Sequence, residues 1–330
     1  MNTSLSSPSA QATAVHALHG QTMGTTWSVQ YTSATRLDPH ALHDAVQARL
    51  DQVVAQMSTW DADADIMRFN RCAAGEWFAL QDDILQVITT ALDIASTSGG
   101  AFDPTVSPLV AAWGFGAHAG DRGRPAESAL VEARACVGWQ HLRFDPAQRR
   151  IRQPGGVMLD LSAIAKGYGV DVVADLLRRR SINAALVEVG GELYGYGRKA
   201  EDNAWRVLVE SSPEEEADSD GLEPRVLTLD GVAVATSGDR WHAYAQNGRR
   251  YSHTIDPRSG EPVTDAAAAV TVIADDAMHA DAWATALTVM GATHGHAFAV
   301  RHGLAARFLQ RTATGLQETM TPAFERHLAA

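Results

Sequence analysis

Helix-like and strand-like stretches follow one another along the 330 residues in a mixed order, with no regular βαβ repeat. A repeating βαβ unit would commit the chain to a parallel sheet wrapped by helices. A mixed order points to the α+β class, with mixed sheets and packed helices. In TMGTTWSVQYT (22–32), Trp27, Val29 and Tyr31 alternate with polar residues, the period of a half-buried strand. In residues 39–57, Leu42, Val46, Leu50, Val53 and Met57 recur at helical spacing. A second helix fits 82–97 and is stopped by SGGAFDPTVSP. A short helix near 126–136 precedes a hairpin that turns at Asp145-Pro146. An apolar strand ending at Asp160 leads into a helix over 165–180, and NAALVEVGGELYGYG reads as strand, Gly-Gly turn, strand. Two strand segments flank the acidic loop PEEEADSDG, whose charges are expected to be simply solvated. RRYSHTIDPRSGEPV is a strand entering a Pro/Gly turn, and AVTVIADDAMHADAWATALTVMG is a strand followed by a helix.

The net charge of −12 argues against nucleic acid as the main partner, which needs a basic face. A small phosphorylated ligand remains open, because a few local groups can hold it. Cys72 and Cys136 resemble no disulfide framework and are expected as free thiols. No stretch approaches the length of about 18 apolar residues needed to cross a membrane. Residues 1–19 are expected to be a disordered polar lead-in without signal-peptide character, with one domain over 20–330. On this reading the chain works in the cytoplasm, or outside it if an export signal was omitted.

The P-loop pattern, H-E-x-x-H and C-x-x-C are all absent, which disfavours P-loop nucleotide binding and zinc. The junction VMLDLSAIAKGYGVD (157–171) carries more. The chain has only two lysines, Lys166 and Lys199, and Lys166 stands at the start of a helix, six residues after Asp160. Gly167 and Gly169 keep the surface bare there. A helix N-terminus with a compact ammonium suits an anion; a surface lysine beside a capping aspartate reads the same residues equally well. Asp281 and Thr285, four apart on a helix, project from one face. They form either a hard-oxygen pair for Mg²⁺ or Ca²⁺, or a threonine bonded back to the helix beside an N-terminal aspartate. His253 lies three before Asp256, so strand alternation opposes a simple His–Asp dyad, and a core histidine is the alternative.

Taken together and in this order, these pieces resemble the FAD:protein FMN transferases, the ApbE-type flavin transferases. The matching stretches are MGTTWSV, STWDADADIMRFN, GGAFDPTVSPLVAAWGFG, LDLSAIAKGYGVD, VEVGGELYGYG, VATSGD, YSHTIDPRSGEPV and ADAWATALTVMG, from Met23 to Gly291. The resemblance implies a T-fold-related architecture with an FAD site in a cleft between two lobes. It implies an enzyme that splits FAD, leaves FMN on a Ser or Thr of a target flavoprotein subunit, and releases AMP. It implies Mg²⁺ held by the Ala163 carbonyl, Asp281 and Thr285. The flavin-contacting positions would be Met23, Trp60, Ala101, Phe102, Asp103, Asp160, Lys166, His253 and Thr254. Lys166 is expected to face the FAD phosphates. His253 is expected to help deprotonate the acceptor, with Asp281 the alternative base. Trp60 stands where the family often has Tyr, and Ser107 where Gly is common. Two competing readings are an FAD pyrophosphatase, with water as acceptor, and a flavin carrier without turnover.

Overall fold

The computed structural model describes residues 14–34, 36–116, 123–199, 202–209, 225–238, 243–246, 249–263, 268–312 and 315–329. Its centre is an eight-stranded antiparallel sheet whose spatial order is the chain order. The strands are β1 (Val15–Thr22), β2 (Thr25–Thr32), β3 (Ala184–Val189), β4 (Glu192–Tyr196), β5 (Val232–Gly238), β6 (Ala269–Ala274), β7 (Ala305–Thr312) and β8 (Gly315–Met320). The α+β expectation holds. The lead-in boundary needs correction: β1 begins at Val15 and pairs with β2 along its length, Val15 opposite Thr32 and Thr22 opposite Thr25. The acidic loop lies outside the described residues.

Four helices matter for the site: α1 (Pro39–Met57), α2 (Asp82–Thr97), α3 (Ala165–Arg179) and α4 (Ala277–Arg301). One face of the sheet receives α1, α3 and α4, as strand alternation dictates, and α2 packs on α1 and α4. Val187 and Val189 of β3 and Tyr194 of β4 join Leu42, Val46 and Leu50 of α1 and Val170, Val173 and Leu177 of α3 in one core. Val270 and Val272 of β6 and Phe308 of β7 pack with Ala282 and Leu287 of α4 in the adjoining core. The opposite face, with Leu186 and Ile273, is covered by the hairpin Trp205–Val209/Arg225–Leu229 and by Phe324.

Residues 157–161 are not a strand. They belong to no ladder, because distant partners in the chain take their backbone bonds. The Asn70 amide accepts from Leu159 N–H (2.8 Å) and donates to Leu159 C=O (2.9 Å), and the Asp160 N–H donates to the Pro104 carbonyl (2.8 Å).

Two tight turns place residues at the site. Met23-Gly24 closes the β1–β2 hairpin and Gly190-Gly191 the β3–β4 hairpin, all four with positive φ. Such two-residue turns match the right-handed twist of their strands.

Candidate active site

The N-terminus of α3, the first turns of α4 and the first residue of β4 meet at one buried point. Gly167 makes the meeting possible. A Cβ there would lie 2.2 Å from the Ala277 carbonyl oxygen, so only glycine lets the two helices approach this closely. The Gly167 N–H is one of the leading donors that a helix start leaves without an intrahelical acceptor. It donates to Asp281 Oδ2 across the helix contact (3.1 Å). Among the described residues no backbone N–H donates to the Ala163 carbonyl, which is left outside the helical ladder.

Lys166 stretches along the Gly190 turn, where a Cβ would sit 3.2 Å from its Cδ. Its Nζ pairs with Glu192 Oε1, the residue directly after Gly-Gly. Glu192 and Asp281 are buried, while Lys166 keeps 31% of its side chain open. Two acids therefore share one lysine in a dry place. Burial, followed by the Asp281 charge, pushes the Glu192 acid up to about 8, against the pull of Lys166. Burial also raises Asp281, opposed by Lys166 and the Gly167 N–H. Burial pulls Lys166 down, but Asp281 and Glu192 outweigh it and the net shift is upward. The lysine stays charged, and the two acids compete to remain ionised beside it.

The second oxygen, Glu192 Oε2, is buried with no hydrogen-bond partner. An orphaned carboxylate oxygen is costly unless something fills the gap. Thr285 follows Asp281 by one helical turn, half-buried; Thr288, by contrast, returns its hydroxyl to the Ala284 carbonyl (2.8 Å). The free Ala163 carbonyl, the Asp281 carboxylate and the Thr285 hydroxyl are all hard oxygens, a donor set that fits Mg²⁺ or Ca²⁺.

The other expected residues fall around this point in different ways. Met23 packs over α3: a Cβ on Gly169 would be 3.2 Å from its Cε. Met23, Ala163, Phe102, Ile164 and Ala165 share one hydrophobic cluster, and Ala101 is buried beside Phe102. The Asp160 Oδ1 accepts from both the Ser162 N–H (2.9 Å) and hydroxyl (2.6 Å), so Asp160 is the turn-capping aspartate ahead of Lys166. Asp103 is turned onto its own loop, holding Thr105 N–H (2.8 Å) and hydroxyl (2.6 Å) and the Trp139 N–H (3.2 Å). Burial raises its pKa despite these bonds.

His253 stands edge-on to Phe115, with 6.4 Å between ring centroids, and Thr254 beside it is buried. Asp256 does not serve His253 in a dyad; Arg258 holds both its oxygens at 2.8 Å. The Arg258 stem passes Gly100, where a Cβ would lie 3.8 Å from its Cγ, so the His253 turn adjoins the 101–103 loop. Trp60 is 78% exposed and its ring joins none of these groups.

Glu192 was not among the residues singled out from sequence. Its signal was there in weak form: a carboxylate opening a strand with Leu193, Tyr194 and Tyr196 after a Gly-Gly turn. Position alone could not say that it faces Lys166, because the pairing of β4 with its neighbours decides that.

If Lys166 holds the two acids together, Lys166→Ala should leave them face to face. Breaking a buried pair costs about 3–5 kcal/mol; with Lys166 partly open, about 1–2 kcal/mol is expected. Adding Glu192→Gln should recover most of the loss. Denaturant titration of the two single variants and the double variant measures it, and strict additivity would show the pair to be uncoupled.

Comparisons with known proteins bear on the family. The ApbE family model matches residues 23–308. An FAD:protein FMN transferase of Vibrio cholerae is 36% identical over 94% of this chain and 92% of its own length. One of Klebsiella pneumoniae is 33% identical over 98% and 93%. Among solved structures, the apo form of the Pseudomonas stutzeri flavinyl transferase ApbE superposes with a TM-score of 0.89 at 37% identity, covering 98% of this chain and 99% of that one. A family model spanning most of the chain, together with relatives matched over nearly their full length, places this protein in the ApbE family.

Proposed function

We propose that this protein transfers the FMN part of FAD to a Ser or Thr hydroxyl of a target flavoprotein subunit and releases AMP. The single observation that carries the reading is the buried Lys166–Glu192–Asp281 cluster beside the free Ala163 carbonyl. A carrier that only bound flavin would gain nothing from two buried carboxylates set around one lysine. The names of the relatives support the flavin chemistry.

The acceptor oxygen attacks the phosphorus on the FMN side of the pyrophosphate. A new P–O bond forms, the P–O–P bridge breaks, and AMP leaves with the bridging oxygen. The hydroxyl proton must go to a base. His253 suits that role, because the Asp281 carboxylate is already committed to Gly167 and Lys166. Lys166 lends a compact positive charge to the phosphate side, and its partly open side chain can reach a ligand. Ala163, Asp281 and Thr285 would hold Mg²⁺, which when bound neutralises pyrophosphate charge. Phe102 and Met23 supply apolar surface for the flavin, and Trp60, exposed, supplies a stacking face.

Incubation with FAD, Mg²⁺ and a candidate subunit should raise the subunit's mass by one FMN less water, with an equal amount of AMP. An acceptor variant lacking the hydroxyl should stay unmodified. AMP released at the same rate without acceptor, with FMN accumulating free, would replace this reading by an FAD pyrophosphatase.

A further inference from the structure

The first turn of α4 is fastened from outside its own helix. At most helix starts the leading N–H groups go to a local cap or to water. Here the local cap, Asp276, takes just one leading backbone N–H with its side chain, that of His279 (2.8 Å), and also holds the His279 ring (2.7 Å). The two N–H groups ahead of His279 are taken by Asp171 of α3: Ala277 N–H to Oδ1 (2.8 Å) and Met278 N–H to Oδ2 (2.9 Å).

Asp171 follows Gly167 by four residues, and Asp281 follows Ala277 by four, so each pair lies on one helix face. The α3–α4 contact thus carries two polar clamps one helical turn apart. One is Asp171 on Ala277 and Met278; the other is Gly167 on Asp281 (3.1 Å). A slip of either helix along its axis breaks both.

We propose that Asp171 is a positioning residue: it locks the first turn of α4 to α3 and thereby sets the Asp281 carboxylate on the Gly167 N–H beside Lys166. The inference rests on the function proposed above only for its kinetic consequence; the clamp itself is a property of the fold.

Asp171 is an expensive way to hold a helix. Burial, with Asp276 and Asp175 nearby, pushes its acid up to about 7, although the two N–H bonds pull it down. The native pKa lies above the unfolded value, so this group favours the fold most at low pH and loses that contribution as pH rises toward 7. As the carboxylate ionises through neutral pH it costs stability, as a device kept for a site can.

The test uses the full chain and Asp171→Asn, which keeps the shape and one acceptor. A control, Phe324→Leu, weakens the core on the opposite face of the sheet. In Asp171→Asn the Gly167 amide should exchange with solvent at least tenfold faster relative to amides of β3 and β6. The kcat should fall at least tenfold, half-saturating Mg²⁺ should rise at least fivefold, and KM for FAD should stay within threefold. Phe324→Leu should lower Tm without these changes. Unchanged protection of Gly167, or a rate loss no larger than that of the control, overturns the proposal. Should Asp171→Asn fail to fold, wild-type exchange decides. The Gly167, Ala277 and Met278 amides should open as one unit, and a Gly167 amide exchanging tenfold faster than the other two overturns the clamp. Should the wild type transfer no FMN, the functional reading falls, and the exchange measurements still judge the clamp.

Discussion

Asp281→Ala is expected to reduce FMN transfer at least about a thousandfold, some 4 kcal/mol of barrier, in a protein that still folds. The fold survives because the cluster holds two acids against one lysine. Removing Asp281 leaves Lys166 and Glu192 as a matched pair. The orphaned Gly167 N–H is then one of the leading donors of a helix start, which water or a local cap can satisfy. Asp281→Asn should be milder on structure, keeping an acceptor for Gly167, and nearly as severe on rate, since the charge is gone. AMP release and circular dichroism on the same preparations check both halves. A variant retaining a tenth of wild-type activity would remove Asp281 from the chemistry.

Gly167→Ala should be among the most damaging small substitutions in the protein. Its Cβ would meet the Ala277 carbonyl oxygen at 2.2 Å, the Ala277 carbonyl carbon at 2.6 Å and the Met278 Cα at 2.8 Å. All three are backbone, so no side chain can swing aside and the helices must part. Overpacking of this kind costs about 3 kcal/mol, only partly offset by the roughly 1 kcal/mol that alanine gains over glycine in a helix. Parting the helices would also draw Asp281 from Gly167, so activity should vanish with the stability. Gly169→Ala, two residues on, provides the contrast. It meets the Met23 Cε at 3.2 Å and the Leu50 Cδ2 at 3.3 Å, both ends of flexible side chains. That variant should melt within a few degrees of the wild type. Equal melting temperatures for the two variants would contradict the close helix approach.

Local patterns carried most of the fold. The alternation of Trp27, Val29 and Tyr31, the helical spacing over 39–57 and the Gly-Gly turn all appear as expected, because each depends on residues close in the chain. Residues 157–161 failed as a strand because their bonds go to Asn70 and Pro104, 89 residues away in the case of Asn70. No short window of sequence contains that information. The site divides the same way. Lys166 and Asp281 stood out from local spacing and Ala163 through the resemblance, whereas the contacts of Glu192 with Lys166 and of Asp171 with α4 cross element boundaries. Asp160 proved to be the cap that one reading of its motif allowed.

The chain-ordered sheet also has a consequence for how the protein reaches its native state. Strands β2 and β3 are neighbours, Trp27 opposite Val189, yet the segment from 33 to 183 lies between them. Loop closure on that scale adds little to the equilibrium cost, only about 0.6 kcal/mol per doubling of length. It weighs on the rate, since folding slows as contacts become more distant in sequence. The local hairpins and helices can form early, but Gly167 and Asp281, 114 residues apart in the chain, meet only after α3 and α4 have docked. During refolding, far-ultraviolet ellipticity will therefore return ahead of catalytic competence, and a half-assembled molecule will carry its acids and its lysine still in water.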